Sequence, residues 1–316
     1  MDLNLPVSPL LSRCKNLLIA GMGGGYDIFC GLPIYFELQK HGQNTHLANF
    51  SFAEIATLKA GERLTPTLVG VHARASDFAV YFPELYLAQW FAEKRGQAVT
   101  VWCFQKTGAR PLLDNYRVLV ERLSIDGIVL IDGGVDSLMR GNEAQTGTMI
   151  EDAISLFAVN ELSHIPVRII ACLGLGIEPD VAHTHVLENM AILTKAGGFL
   201  GACSLAPQMD SYQAYEDAVL YTQSKPHQDP SVINSSIISA AQGHFGDHHL
   251  TEKTRGSLLW ISPLMLIYWF FDLSTVAKHN LFLPQLRETA TFMEAVYVAQ
   301  STVMGIPRRT TPRLPL

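Results

Sequence analysis

The feature that most constrains this chain is a rhythm of short, apolar-rich runs separated by stretches of helical spacing. Asn16 to Ala20 (NLLIA), Thr45 to Phe50 (THLANF), Ala98 to Phe104 (AVTVWCF), Gly127 to Asp132 (GIVLID), Val167 to Leu173 (VRIIACL) and Gly198 to Ser204 (GFLGACS) read as strands. Between them, Ile28 to Lys40, Pro111 to Leu123, Met149 to Leu162 and His183 to Lys195 carry apolar residues at helical intervals. Strands that are apolar on both sides must be covered on both faces, and their alternation with helices makes them parallel. Right-handed crossovers then predict an α/β fold, a doubly wound, mostly parallel sheet of Rossmann-like type. Beyond Ala206 the rhythm changes, and Met209 to Thr222, Ser231 to Gln242 and Leu283 to Ala299 read as helices. The expectation is a core over residues 1–205 and a helical C-terminal extension over 206–316, packed together as one structural domain. The Pro- and Arg-rich tail from Pro307 reads as a frayed end or an arm onto a partner.

Composition narrows the partners. Apolar residues make up 48% of the 316 and charged residues 16%, which excludes a disordered chain. A net charge of -6 argues against nucleic acid, which would require a basic face. Cys14, Cys30, Cys103, Cys172 and Cys203 form no CxxC pair and read as free thiols of a reducing compartment. The N-terminus has no basic stretch ahead of its apolar patch, so no signal peptide is expected. Leu258 to Phe271 is the longest apolar run, but it contains Pro263 and is shorter than the roughly 20 residues that span a bilayer. It reads as a buried helix or a homo-oligomer contact. Together these features point to a cytoplasmic protein that binds a small molecule, not a membrane.

In an open parallel sheet, ligands bind at the carboxyl ends of the strands where the strand order reverses. Here that point lies between the strands ending at Ala20 and Asp132. The first following loop is Gly21-Met22-Gly23-Gly24-Gly25-Tyr26-Asp27. Gly21, Gly23, Gly24 and Gly25 let backbone N–H groups approach an anion, with Asp27 as a ligand contact or helix N-cap. Tyr26 occupies the third glycine position of the dinucleotide fingerprint, and Asn49, Phe50 and Ser51 supply no ribose-binding acid. The Gly-x-Gly-x-Gly spacing also suits adenosylmethionine, although Ile19 stands where methyltransferases usually carry an acid.

The second loop runs from Asp132 through Gly133, Gly134 and Asp136 to Arg140 and Glu143. Two acids four apart at the end of an apolar strand need a partner. A divalent metal such as Mg²⁺ or Ca²⁺ on Asp132 and Asp136, sugar hydroxyls, or an ion pair with Arg140 would each serve. The Asp-Gly-Gly-Val-Asp turn is similar to the Asp-Pro-Gly-x-Asp turn of nucleoside hydrolases, as a chemical analogy only. Thr148 and Glu151 read as a capping box at a helix start, with Asp152 free to face the second loop. Gly174 and Gly176, followed by Glu178 and Asp180, offer a third wall; Asp180 alternatively starts the next helix. His183 and His185 come before the stretch His244-Phe245-Gly246-Asp247-His248-His249, where His244 and Asp247 are the candidates for moving a proton. No phosphate loop of GxxxxGK[ST] type, no GxSxG elbow and no kinase set is present.

The combination GMGGGYDIFCGLP, DGGVDSLMRGNE, GTMIEDA, GHFGDHH and PLMLIYWFFDL resembles the archaeal and bacterial family designated domain of unknown function 1152, from about Asn16 to Leu281. The resemblance implies a soluble cytoplasmic protein and brings no catalytic residue with it. Three functions remain open on the residues. The first is an enzyme binding a nucleotide, nucleoside or phosphorylated sugar, a hydrolase or transferase using Asp132, Asp136, His244 and Asp247. The second is an NAD- or SAM-dependent enzyme, and the third is a small-molecule sensor without catalysis.

Overall fold

A computed structural model describes residues 6–75 and 80–311. In chain order the elements are α1 (Val7–Leu11), β1 (Asn16–Gly21), α2 (Asp27–Cys30), α3 (Leu32–Lys40), β2 (Asn44–Ser51), β3 (Glu62–Thr65) and β4 (Leu68–Val71). There follow α4 (Pro83–Arg95), β5 (Val101–Gln105), α5 (Ala109–Leu123), β6 (Gly127–Gly133), α6 (Ile150–Asn160), β7 (Val167–Leu173), α7 (His183–Lys195) and β8 (Phe199–Ser204). The chain ends with α8 (Asp210–Gln223), α9 (Val232–Ala241), β9 (Ile267–Asp272), α10 (Leu273–His279) and α11 (Phe292–Met304).

All nine strands join one sheet in the order β3-β4-β5-β2-β1-β6-β7-β9-β8. The central strands β5, β2, β1, β6 and β7 are parallel, as the unbroken apolar runs demand. Each strand feeds two cores. Leu17 and Ile19 pack with α2, α3, α4, α8 and α9 on one face, while Leu18 and Ala20 pack with α5, α6, α7, α10 and α11 on the other. The fold is therefore the doubly wound α/β arrangement expected from the rhythm.

Several local expectations change. The helix expected over Ile28 to Lys40 breaks at Gly31, where a Cβ would lie 2.7 Å from Ile19 and 3.0 Å from Ile131. The chain presses directly on the sheet there, and Pro33 starts the second piece. The run from Leu258 to Phe271 does not form a buried helix. Its Ile-Tyr-Trp-Phe-Phe segment becomes β9, antiparallel to both β7 and β8, because β-branched and aromatic residues fit a pleated, two-sided surface. The C-terminal region thus adds a strand to the core sheet as well as helices. The helix expected over Leu283 to Ala299 divides into a 3₁₀ turn, Leu283–Glu288, and α11, whose start Thr291 and Glu294 cap reciprocally. Among the described residues, no helix is long and apolar enough to cross a membrane.

Candidate functional site

The crevice follows from the topology. β1 and β6 are parallel neighbours, and the chain leaves them toward opposite edges of the sheet. Met22 N–H donates to Ile131 O at 2.9 Å, which stitches the two following loops together at their roots. Asp132 lies near the end of β6. Asp136 begins the 3₁₀ turn Asp136–Leu138, and Asp152 occupies the first turn of α6. All three are buried, and one oxygen from each lies within 4.8 Å of the others.

Two further carboxylates border this trio, and the glycines make room for them. A Cβ on Gly133 would lie 2.7 Å from Asp27 Oδ1, and one on Gly134 would lie 2.7 Å from Glu178 Oε2 and 3.1 Å from Asp132 Oδ1. At Gly23 it would meet Asp27 Oδ2 at 2.7 Å and Asp152 Oδ1 at 3.0 Å. Gly23, Gly133 and Gly134 thus make space for acidic side chains, whereas Gly24 and Gly25 lie against Phe52 and Tyr81.

Partners for these acids are few. Asp27 accepts from Gly23 N at 2.7 Å, Asp132 from Ser137 N at 3.1 Å, and Glu178 from Val135 N at 3.1 Å. Asp136 accepts from Thr148 N at 2.8 Å and Thr148 Oγ1 at 3.3 Å. Asp152 Oδ1 is buried with no partner. No ion pair among the described residues reaches any of the five. Burial pushes Asp132 up to about 6. Burial, then the Asp132 charge, pushes Glu178 up to about 8. Burial first, and neighbouring carboxylates second, hold Asp27, Asp136 and Asp152 well above the ordinary carboxylate range.

Such a set is chemically suited to a hard divalent cation, which takes carboxylate oxygens. Two oxygens on opposite sides of an ion with bonds of about 2.0–2.5 Å stand about 4–5 Å apart, so a spread of 4.8 Å is within a single ion's reach.

Beside the acids opens a cleft of about 440 Å³, lined among others by Gly24, Gly25, Asp27, Phe52, Tyr81 and Lys253. Gly24 and Gly25 adopt φ of +99° and +58°, a turn that other residues resist. Among the described residues, the N–H groups of Gly24, Gly25 and Tyr26 have no protein acceptor. Lys106 sits 4.7 Å from the Phe52 ring centre and pairs with Glu151 at 2.7 Å. The acid that the end of β2 lacks in sequence arrives from α4. Glu84 accepts from Asn49 Nδ2 at 2.8 Å, and the same amide holds Gly25 O at 2.8 Å. Glu84 is wholly buried beneath the loop, and burial pushes it up to about 6.

The remaining predicted residues lie as follows. Gly21 packs against Asn49 and the start of α2. Gly174 and Gly176 turn the chain after β7, and it is Glu178 from that loop that reaches the acids. The ion pair weighed for Arg140 with Asp132 or Asp136 does not form; its Nε donates to His279 O at 3.5 Å. Glu143 is buried and receives Arg309 Nη1 at 3.0 Å. The Thr148–Glu151 capping box is not made, because Thr148 serves Asp136 and Glu151 pairs with Lys106. Asp27 follows the N-cap Tyr26 and does not cap α2 itself, and Asp180 likewise lies outside the start of α7, whose N-cap is Ala182. His244 stacks on His248 with ring centres 3.6 Å apart. Asp247 accepts from Leu259 N at 2.9 Å and faces His249 Nε2 at 3.1 Å. None of the hydrogen bonds or ion pairs of this turn reaches the carboxylates.

Asp152 was the residue that sequence left undecided. Its signal was an acid in a helix, IEDAISLFAVN, that is otherwise almost wholly apolar and is buried along nearly its whole length. Lys253 had no signal, since its turn approaches the glycine loop only through the tertiary fold.

A family model described as Protein of unknown function (DUF1152) matches residues 18–306, and the chain belongs to that family. No match was found among the curated proteins or among the solved structures.

Proposed function

We propose, for this member of the DUF1152 family, a divalent-cation-dependent hydrolysis or group transfer acting on a phosphate ester of a nucleoside or sugar. The observation that carries the reading is the buried trio Asp132, Asp136 and Asp152 at the switch point of the sheet, with no ion-pair partner among the described residues. Burying that many ionised acids together is prohibitive unless they share protons or hold a cation. A bound Mg²⁺ or Mn²⁺ would polarise a phosphoryl oxygen and template the substrate.

The protein's own groups divide the rest of the work. Unclaimed N–H groups of Gly24, Gly25 and Tyr26 bind the phosphate oxygens, and Lys253 supplies positive charge across the cleft. Asp27 braces the loop through Gly23 N–H. Glu178, which borders the trio at Gly134, gives or takes the proton as water or an acceptor hydroxyl replaces the leaving alcohol. Phe52 and Tyr81 offer ring surface to a base or sugar.

Calorimetry with Mg²⁺ and Mn²⁺, followed by a turnover screen of nucleoside and sugar phosphates, tests the reading. Saturable cation binding with cation-dependent release of phosphate or transfer product is the expected result. Absence of cation binding removes the centre; binding of cation and ligand without product makes the protein a sensor. Glu84 beside Asn49 favours one other reading, an NAD- or SAM-dependent reaction, because it restores an acid at the end of β2. Its complete burial and its grip on the amide that holds Gly25 assign it instead to bracing the loop.

A further inference from the structure

The stretch between β6 and α6, residues 134–149, carries Asp136 and Thr148 yet contains only one 3₁₀ turn. A loop of that length is held in one shape only by bonds from outside itself. Some of those bonds come from Asp180, Ala182 and Leu281, and a second group comes from the last described residues of the chain. Arg309 N–H donates to Asn142 O at 2.8 Å, and Asn142 Nδ2 donates to Pro307 O at 3.2 Å. The Arg309 guanidinium donates to Glu143 Oε1 at 3.0 Å and Asn189 Oδ1 at 2.8 Å, and pairs with Glu188.

Glu143 is the hub. Its carboxylate also receives Arg140 N at 3.0 Å, Gly141 N at 2.8 Å and Asn189 Nδ2 at 2.9 Å. Asn189 Nδ2 in turn donates to Leu138 O at 3.1 Å. Leu138 closes the 3₁₀ turn that begins at Asp136, and the same turn presents Ser137 N–H to Asp132. Arg140, the one cation within the loop, spends its side chain on His279 O. The buried Glu143 therefore depends on a charge supplied from 166 residues downstream.

We propose that Arg309 is a positioning residue for the cation centre: through Glu143 and Asn189 it fixes the turn that aims Asp136 and, by way of Ser137, Asp132. The proposal rests on the cation reading of the trio. It assigns the C-terminal arm an occupant within its own chain and gives Glu143 a supporting task, not direct ligand contact. Lysine cannot replace the fork, since three acceptors in different directions need a planar, multidentate donor.

The test is Mn²⁺ affinity of the full-length protein, by electron paramagnetic resonance or calorimetry, with the melting temperature of the cation-free protein read in parallel. Wild type, D136N, R309A and R309K are compared. D136N should lose binding, R309A should weaken it about 10–100-fold, as supporting partners of metal ligands do, and R309K should fall between. R309A with a lowered melting temperature but Mn²⁺ affinity within about twofold of wild type would overturn the positioning role, since that range marks no supporting contribution. Should R309A fail to fold, R309K decides, and unchanged affinity in it overturns the proposal as well. Wild type that binds no Mn²⁺ fails the cation reading itself, which is a separate outcome from binding that is indifferent to Arg309.

Discussion

Asp136 and Glu143 lie seven residues apart in one loop, both buried, and their surroundings are opposites. Glu143 receives two backbone N–H groups, an amide and a guanidinium, and against the effect of burial the Asn189 amide and the backbone N–H groups hold it below the ordinary carboxylate range. Asp136 receives only Thr148, and burial together with Glu178, Asp132 and Asp27 holds it far above that range. Among the described residues one acid is surrounded by donors and the other has Thr148 alone, which the proposed cation would complement. The difference separates architecture from function more clearly than residue type or burial could.

The largest expected effect is a difference of sign. Glu143→Ala strips one partner from Arg309, which keeps Glu188 and Asn189, and leaves two backbone donors without an acceptor, and should cost about 3–5 kcal/mol, as breaking a buried ion pair does. Asp152→Asn should leave the cation-free protein as stable or more so, because it removes one of several mutually repelling acids, while abolishing cation binding. Thermal melts of both variants with and without Mn²⁺ check this. Equal destabilisation by both would erase the contrast and return the trio to structural duty.

The next effect is on pH. Asp132 rises from its ordinary value of 3.8 to about 6, and Glu178 from 4.5 to about 8. In the unfolded chain both ionise near pH 4; in the folded protein they keep their protons longer. The unfolded state therefore binds fewer protons between about pH 4 and 8, and stability is present below that window and lost as pH rises through it. The cation-free protein should melt at progressively lower temperature from pH 5 to pH 8, and saturating Mn²⁺ should flatten the curve, because a cation replaces the missing protons. A cation-free melting temperature that rises across this range would contradict the arrangement. Glu143, already ionised throughout, contributes nothing to the slope.

Much of this was legible in the sequence, and the exceptions have physical causes. The apolar-rich runs located every parallel strand, because a strand covered on both faces carries mainly apolar side chains, with β2 the exception through its buried Asn49 and Ser51. The loops after β1 and β6 stood out because acids and glycines there serve neither packing nor capping. The edge strand β3 and its neighbour β4 were missed, since ERLT and LVGV are only four residues each and ERLT is largely polar. β9 was misread because its aromatic run continues an apolar segment long enough for a helix. Arg309 as partner of Glu143 was beyond reach: nothing local distinguishes a tail arginine that folds back from one that frays.

A smaller effect concerns the far side of the cleft. Lys253 pairs with Asp229 at 3.6 Å and is half-exposed, so Lys253→Ala should barely move the melting temperature. If Lys253 meets substrate phosphate, the variant should weaken binding of a nucleoside phosphate in the presence of Mn²⁺ about tenfold, the scale of one charge-assisted hydrogen bond. Phe52→Ala should weaken a nucleoside phosphate more than inorganic phosphate, because only the former has a ring to lay against it. Equal losses for both probes would confine Phe52 to holding the glycine loop.

The smallest expected effect is at His244. Sequence made it the natural proton carrier, yet it belongs with the partnered side of the comparison. It stacks on His248, while Asp247 is spent on Leu259 N–H and His249 within the same turn. Glu178, in contrast, touches the site through Val135 and the space at Gly134. A group that moves a proton must be within hydrogen-bond reach of the reacting atoms, directly or through one water. Glu178→Gln should therefore remove most turnover and the limb of the pH profile that this carboxyl sets, on the scale of about 10²–10⁴-fold typical of a lost general acid or base. His244→Ala should change turnover by less than about tenfold, well below that scale, and leave the same limb in place. The reverse pattern, a profile flattened by His244→Ala and untouched by Glu178→Gln, would mean that the turn at Gly243–His249 closes onto the carboxylates when substrate binds, and proton transfer would pass to His244 and Asp247.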